Sequence, residues 1–247
     1  MKPVPIPTAL PLFYVGPDWD QGPMPTVFYF ALSAKESLQV DPFCQPALHL
    51  SSYPVRVLSV DLPFHGEGFS SQEGMFQWAH AWEEHPTFLT EFFTQLASSV
   101  QMIEPWVQQE RVATAGLSRG AFIASHLAAA FPAISTLLAF APLTRLEVIK
   151  ELVDTSISLL EQVSLSSLEG VLATKTLRVY IGNRDTRVGT DVCFQWVRSL
   201  TEVAYANRER SPKIEMFMKP SIGYLGHGTS PDTFLEGALW LIKQLHL

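Results

Sequence analysis

Residues 111–120 read Arg-Val-Ala-Thr-Ala-Gly-Leu-Ser-Arg-Gly, and the fold is decided there. Residues 111–115 form a short run of β character, and residues 118–131, rich in alanine, suit a helix packed closely on a sheet. Between them lies Gly116-Leu117-Ser118-Arg119-Gly120, a serine with a glycine two positions to either side. A serine at the tip of a sharp strand-to-helix turn adopts strained backbone angles, and side chains at those flanking positions would collide with the turn. The same turn sets the hydroxyl at a helix N-terminus, where free N–H groups favour developing negative charge. The spacing predicts that Ser118 is a nucleophile.

Outward from this turn, short β-rich runs alternate with longer helical patterns. The runs are residues 12–15, 26–32, 55–61, 136–141, 177–181 and 213–218, several of them apolar almost throughout, as strands buried on both faces are. Over residues 88–103 the apolar positions Leu89, Phe92, Phe93, Leu96, Val100 and Ile103 recur at three- and four-residue steps. Residues 190–206 and 231–245 complete the helices, the last opened by Ser230 as N-cap with Pro231 at the first helical position. This alternation predicts an α/β class chain, one mostly parallel central sheet flanked by helices, as a single domain over residues 1–247. Residues 143–175 break the rhythm, with Leu146, Ile149, Val153, Ile157 and Leu160 in helical spacing. They read either as two or three short helices forming a small cap over the C-terminal edge of the sheet, or as an ordinary crossover with an irregular helix.

Composition bounds the partners. The 247 residues are 47% hydrophobic and 17% charged, enough apolar material for one large core. A net charge of −7 and scattered basic residues argue against a nucleic-acid surface. No run approaches the roughly 18 apolar residues of a membrane span, and prolines at positions 3, 5, 7 and 11 interrupt the N-terminal stretch. Two cysteines, Cys44 and Cys193, make no disulfide framework and sit in no metal-ligand spacing. The expectation is a cytoplasmic protein without cofactor or metal, acting on a small acyl substrate. Its oligomeric state is not legible.

A serine hydroxyl is a weak nucleophile and needs a neutral imidazole oriented by a carboxylate. Of seven histidines, only His227 and His246 follow the last strand-like run. His246 is penultimate, whereas His227 lies in the glycine-rich stretch Ile-Gly-Tyr-Leu-Gly-His-Gly of residues 222–228. For the acid, Asp185 follows the strand at 177–181, and its competitor Asp191 falls in the next helix. His126, inside the helix after Ser118, reads as packed or surface, and His80 and His85 as part of an amphipathic helix.

Four stretches in order resemble the α/β-hydrolase superfamily, and within it the prolyl-oligopeptidase-like and dienelactone-hydrolase-like branches. They are Asp-Leu-Pro-Phe-His-Gly-Glu at 61–67, Gly-Leu-Ser-Arg-Gly at 116–120, Gly-Asn-Arg-Asp-Thr-Arg-Val at 182–188 and Gly-His-Gly-Thr-Ser-Pro-Asp at 226–232. The resemblance implies acyl chemistry with Ser118, Asp185 and His227 as triad, and a structural role for His65. It also implies an oxyanion hole built from the backbone N–H of Arg119 and a second N–H after the strand at 26–32. There the family often carries His-Gly, but this chain has Ala31-Leu32-Ser33-Ala34, and Ser33 is the nominated donor. The Arg119 side chain has two readings, a ligand for an acidic substrate group or a partner for a nearby carboxylate. The leading expectation is a serine hydrolase that cleaves a carboxylic ester or related acyl bond through a Ser118 acyl-enzyme; a peptidase, an acyltransferase and a non-catalytic binding protein on the same fold are the alternatives.

Overall fold

In a computed structural model describing residues 1–70 and 73–247, the β-rich runs assemble into one sheet. The strands are β1 (Lys2–Pro3), β2 (Phe13–Val15), β3 (Met24–Phe30), β4 (Arg56–Ser59), β5 (Val107–Leu117), β6 (Thr136–Phe140), β7 (Thr176–Gly182) and β8 (Ile214–Lys219). Their spatial order is β1-β2-β4-β3-β5-β6-β7-β8. From β4 to β8 every neighbouring pair is parallel, while β1–β2 and β2–β4 are antiparallel.

The period-two pleat explains why the central strands are apolar at nearly every position. Phe28, Phe30, Leu137 and Ala139 face one core. Val27, Tyr29, Leu138 and Phe140, their immediate neighbours in sequence, face the other. Each core needs helices to close it. Helices α3 (Gly74–Glu84), α4 (Phe88–Met102), α5 (Arg119–Ala130) and α8 (Thr190–Ala206) cover the first face with Trp78, Leu89, Phe122 and Trp196. Helices α1 (Ala34–Gln39), α2 (Gln45–Leu50) and α9 (Pro231–Gln244) cover the second with Leu38, Ala47, Phe234 and Leu241. Ser230 caps α9 as expected, its hydroxyl accepting from the Thr233 N–H at 3.2 Å.

Three features depart from the sequence reading. Strand β1 is only two residues long, too short for any pattern to reveal it. Helices α1 and α2 each span a single short stretch between β3 and β4, below the length at which helical periodicity can be read. Strand β5 begins at Val107 rather than at 111, because Val107 pairs with Met24 across a bulge while the exposed Gln109 and Glu110 imitate a loop.

Residues 143–175 fold as α6 (Ile157–Gln162), α7 (Glu169–Leu172) and three 3₁₀ turns at Leu146–Val148, Lys150–Leu152 and Leu165–Leu168. Leu146, Ile149, Leu152, Leu160 and Leu165 enter the core shared with α3–α5, while Val153 and Ile157 face solvent. The turn at Lys150–Leu152 packs against α3, and α7 packs against α8.

Candidate active site

The loops that follow β5, β7 and β8 meet at one edge of the sheet. Strand β5 runs straight into α5, and Ser118 between them takes φ 56° and ψ −118°, a left-handed backbone that a non-glycine residue adopts only under surrounding constraint. The flanking glycines permit this. A Cβ on Gly120 would overlap the Phe30 carbonyl, and one on Gly116 would overlap the backbone of Gly120. The carbonyl of Ser118 is held by the N–H groups of Ala121 at 3.0 Å and Leu143 at 3.1 Å.

Asp185 follows β7 and is buried. Its Oδ1 accepts from the backbone N–H groups of Arg187 at 2.9 Å and Val188 at 3.1 Å. That leaves Oδ2 for His227 Nδ1, at 2.7 Å. With its proton on Nδ1, His227 presents Nε2 as acceptor to the Ser118 hydroxyl at 2.9 Å. The glycine-rich loop carrying His227 is fastened to the loop of Asp185. The Thr186 N–H donates to the Leu225 carbonyl at 2.8 Å, and Gly226, at φ 68°, rests against the Arg184 carbonyl where no Cβ would fit. A hydroxyl, imidazole and carboxylate linked in this order can withdraw the serine proton as the oxygen attacks an acyl carbon. The rejected candidates lie elsewhere: Asp191 is exposed in the first turn of α8, and His246 is exposed at the chain end.

Three further histidines have other surroundings. His126 stacks on Phe93 at 3.9 Å between ring centres and donates from Nε2 to the Val163 carbonyl at 2.9 Å; burial pushes its pKa down to about 4. His80 is exposed on α3 near Glu83 and Glu84. His65 is buried and donates from Nδ1 to the Pro63 carbonyl at 2.8 Å, so that Nε2 accepts from Arg119 Nη1 at 2.9 Å. Burial first, and the Arg119 charge second, hold its pKa near 4, so the ring is neutral at pH 7.

Ser33 does not fit the oxyanion role. Its N–H donates to Glu36 Oε2 at 3.1 Å, and its hydroxyl accepts from the Glu36 N–H at 3.1 Å, a reciprocal cap that opens α1. The donor is already spent on a carboxylate. One residue earlier, the Leu32 N–H meets no acceptor among the described residues, while its carbonyl accepts from Leu62 at 3.1 Å. Because Phe30 and Ala31 lie directly on Gly120, Leu32 follows on beside the first turn of α5. The Arg119 N–H, first in that helix, also meets no acceptor among the described residues. The pattern Ser33-x-x-Glu36 is the signature that would have reassigned this donor from sequence.

Both readings of the Arg119 side chain can be compared with its surroundings. No carboxylate lies within ion-pair distance of it among the described residues, and its polar contact is the neutral His65. Arg187 instead pairs with Glu151 at 2.6 Å, tying the 143–175 segment to the loop of Asp185. Among the described residues, no helix is long and apolar enough to cross a membrane.

No family model and no curated protein matches the sequence. Solved structures do match over nearly the whole chain. The Thermus thermophilus protein TT1662 superposes with a TM-score of 0.70 at 18% identity, covering 100% of this chain and 98% of its own. A Pyrococcus furiosus esterase gives 0.64 at 15% identity, over 99% and 90%. The acylaminoacyl peptidase of Pyrococcus horikoshii gives 0.68 at 12% identity, over 99% of this chain but 41% of the peptidase. At such identities the likeness speaks for architecture, and together with the strand order it establishes that this chain has the α/β-hydrolase fold that its motifs resemble.

Proposed function

We propose that this chain is a serine hydrolase that cleaves a carboxylic ester through an acyl-enzyme on Ser118. The observation that carries this reading is the unbroken hydrogen-bonded line from Ser118 Oγ through the His227 ring to Asp185 Oδ2. Ser118 Oγ attacks the acyl carbon as its proton passes to His227 Nε2. Asp185 keeps the ring in the one tautomer that can accept it and stabilises the imidazolium. The carbonyl oxygen gathers negative charge between the N–H groups of Arg119 and Leu32. Collapse breaks the bond to the leaving alkoxide, which takes the proton from His227. Water then repeats the sequence in reverse, releases the acid and restores the serine.

The 143–175 segment, whose Leu143 N–H donates to the Ser118 carbonyl at 3.1 Å and whose Glu151 pairs with Arg187, serves in this proposal as a small cap over the acyl pocket. Two buried free thiols, Cys44 and Cys193, agree with a reducing compartment such as the cytoplasm. The test combines a fluorophosphonate probe with a panel of p-nitrophenyl esters of increasing acyl length. Wild type is expected to label and to turn over the short esters, and Ser118→Ala to lose labelling and about a million-fold of turnover. Labelling with no turnover of any ester would leave the hydrolase and remove the ester, pointing to the peptide or acyl-transfer chemistry that the same residues can perform. No labelling of folded wild type would sink the reading altogether.

A further inference from the structure

Arg119 is a partly buried guanidinium attached to the residue after Ser118, and what surrounds it is unusual for a buried charge. Burial, and after it the neighbouring charge of Arg187, lower its pKa to about 10, so it stays protonated at pH 7. The two carboxylates that act on it from a distance are both engaged elsewhere. Glu151 accepts from Arg187 Nη1 at 2.6 Å, and Glu36 accepts from the Ser33 N–H at 3.1 Å and its hydroxyl at 2.8 Å. His65, the one side chain hydrogen-bonded to it among the described residues, is neutral and uses a single acceptor atom. A guanidinium has five N–H donors. Arg119 is partly buried rather than enclosed, and its remaining donors meet no acceptor among the described residues. One full positive charge, partly buried and with donors that meet no acceptor among the described residues, therefore lies one side-chain length from the Ser118 backbone. Removing a charge from water without a counter-ion costs stability, and a site that keeps such a charge beside reactive groups is better explained by what binds there than by the fold.

We propose that Arg119 is a specificity-determining residue that binds a carboxylate on the acyl part of the substrate, so that the preferred substrates are half-esters of dicarboxylic acids. This rests on the serine-hydrolase reading above. The acyl side follows from direction. The sheet order puts the His227 loop, after β8, on one side of Ser118 and the His65 loop, after β4, on the other. His227 must deliver its proton to the leaving group, so the leaving group lies on its side. The Arg119 guanidinium reaches instead to His65 and to Gly74 at the start of α3, where a Cβ would come within 2.5 Å of its Nη1. A single cation with no carboxylate partner among the described residues matches a monoanion, and its planar fork matches a carboxylate.

The experiment measures kcat/KM for p-nitrophenyl hydrogen adipate against p-nitrophenyl methyl adipate, which differ only in the distal charge, with fluorophosphonate labelling of the same preparations. Wild type is expected to prefer the charged ester by about tenfold to a hundredfold. Arg119→Met should bring the two esters to near equality, and Arg119→Lys should keep part of the preference because the charge survives without the fork. A labelled wild type with no preference, or with a preference for the methyl ester, overturns the proposal and leaves the hydrolase standing. A folded Arg119→Met that keeps the wild-type ratio overturns it too. Should Arg119→Met not fold, Arg119→Gln, which still offers His65 a donor, is read by the same criterion. Absence of labelling and turnover in wild type removes the hydrolase reading, and this one with it.

Discussion

One imidazole faces Ser118 and another faces its neighbour Arg119, and the protein treats them in opposite ways. His227 has a carboxylate behind it and a hydroxyl in front. His65 has a carbonyl behind it and a guanidinium in front. The rings present the same atoms in the same tautomer, Nδ1 as donor and Nε2 as acceptor. What differs is the charge that each faces. A carboxylate behind a ring favours an extra proton on it, as the proposed acyl transfer requires, whereas burial and then a cation in front oppose one on His65. In the proposed reaction the first ring takes up a proton in passing, while the second stays neutral. Residue type therefore says little about the role of a histidine here, and its second neighbour says most.

The widest gap between the two rings should appear in turnover. His227→Ala is expected to lose about a million-fold in kcat, as removal of a triad base does, while His65→Gln, which still offers Arg119 an acceptor, should lose no more than about tenfold. Equal losses in steady-state assays would erase the distinction. Next in size, Asp185→Asn should lower kcat about ten-thousand-fold by favouring the wrong tautomer of His227, with circular dichroism unchanged. A smaller effect belongs to stability. Folding lowers the His65 pKa from 6.5 to about 4, so the unfolded chain binds the extra proton between those values. The resulting stabilisation is complete above pH 6.5 and is lost as pH falls toward 4. It amounts to about 3 kcal/mol at most. His126 acts in the same window with the same sign, so denaturant titrations from pH 7 to 4 should show His65→Gln with a shallower, not a flat, decline. Least of all, Arg119→Met should raise stability by about 1 kcal/mol, roughly 2–4 °C in Tm, because a partly buried charge with no carboxylate partner among the described residues is removed. A fall in Tm would mean that the fold already compensates it.

Much of the candidate site was legible because its parts are local. The strained turn at Ser118 needs glycines at two fixed offsets, and an acid just past β7 and a histidine past β8 stand in the order that a parallel sheet brings to one edge. The outer elements were less legible. Strand β1 and helices α1 and α2 are too short to repeat a period. The Ser33 donor is a different case: position after β3 points to its N–H, but Glu36 three residues on takes that N–H up.

The sequence alone determined that two-sided apolar strands alternate with helices, that Ser118 occupies a constrained turn, and that a histidine and an aspartate follow in order, since each of these is a matter of neighbours along the chain. Only the tertiary structure decided that Arg119 faces a neutral ring instead of a carboxylate, that Arg187 takes Glu151, and that Leu32 rather than Ser33 keeps its donor free. Those outcomes depend on which groups from distant segments arrive within about 3 Å of one another, the range at which hydrogen bonds act, and spacing along one strand of sequence carries no record of that distance.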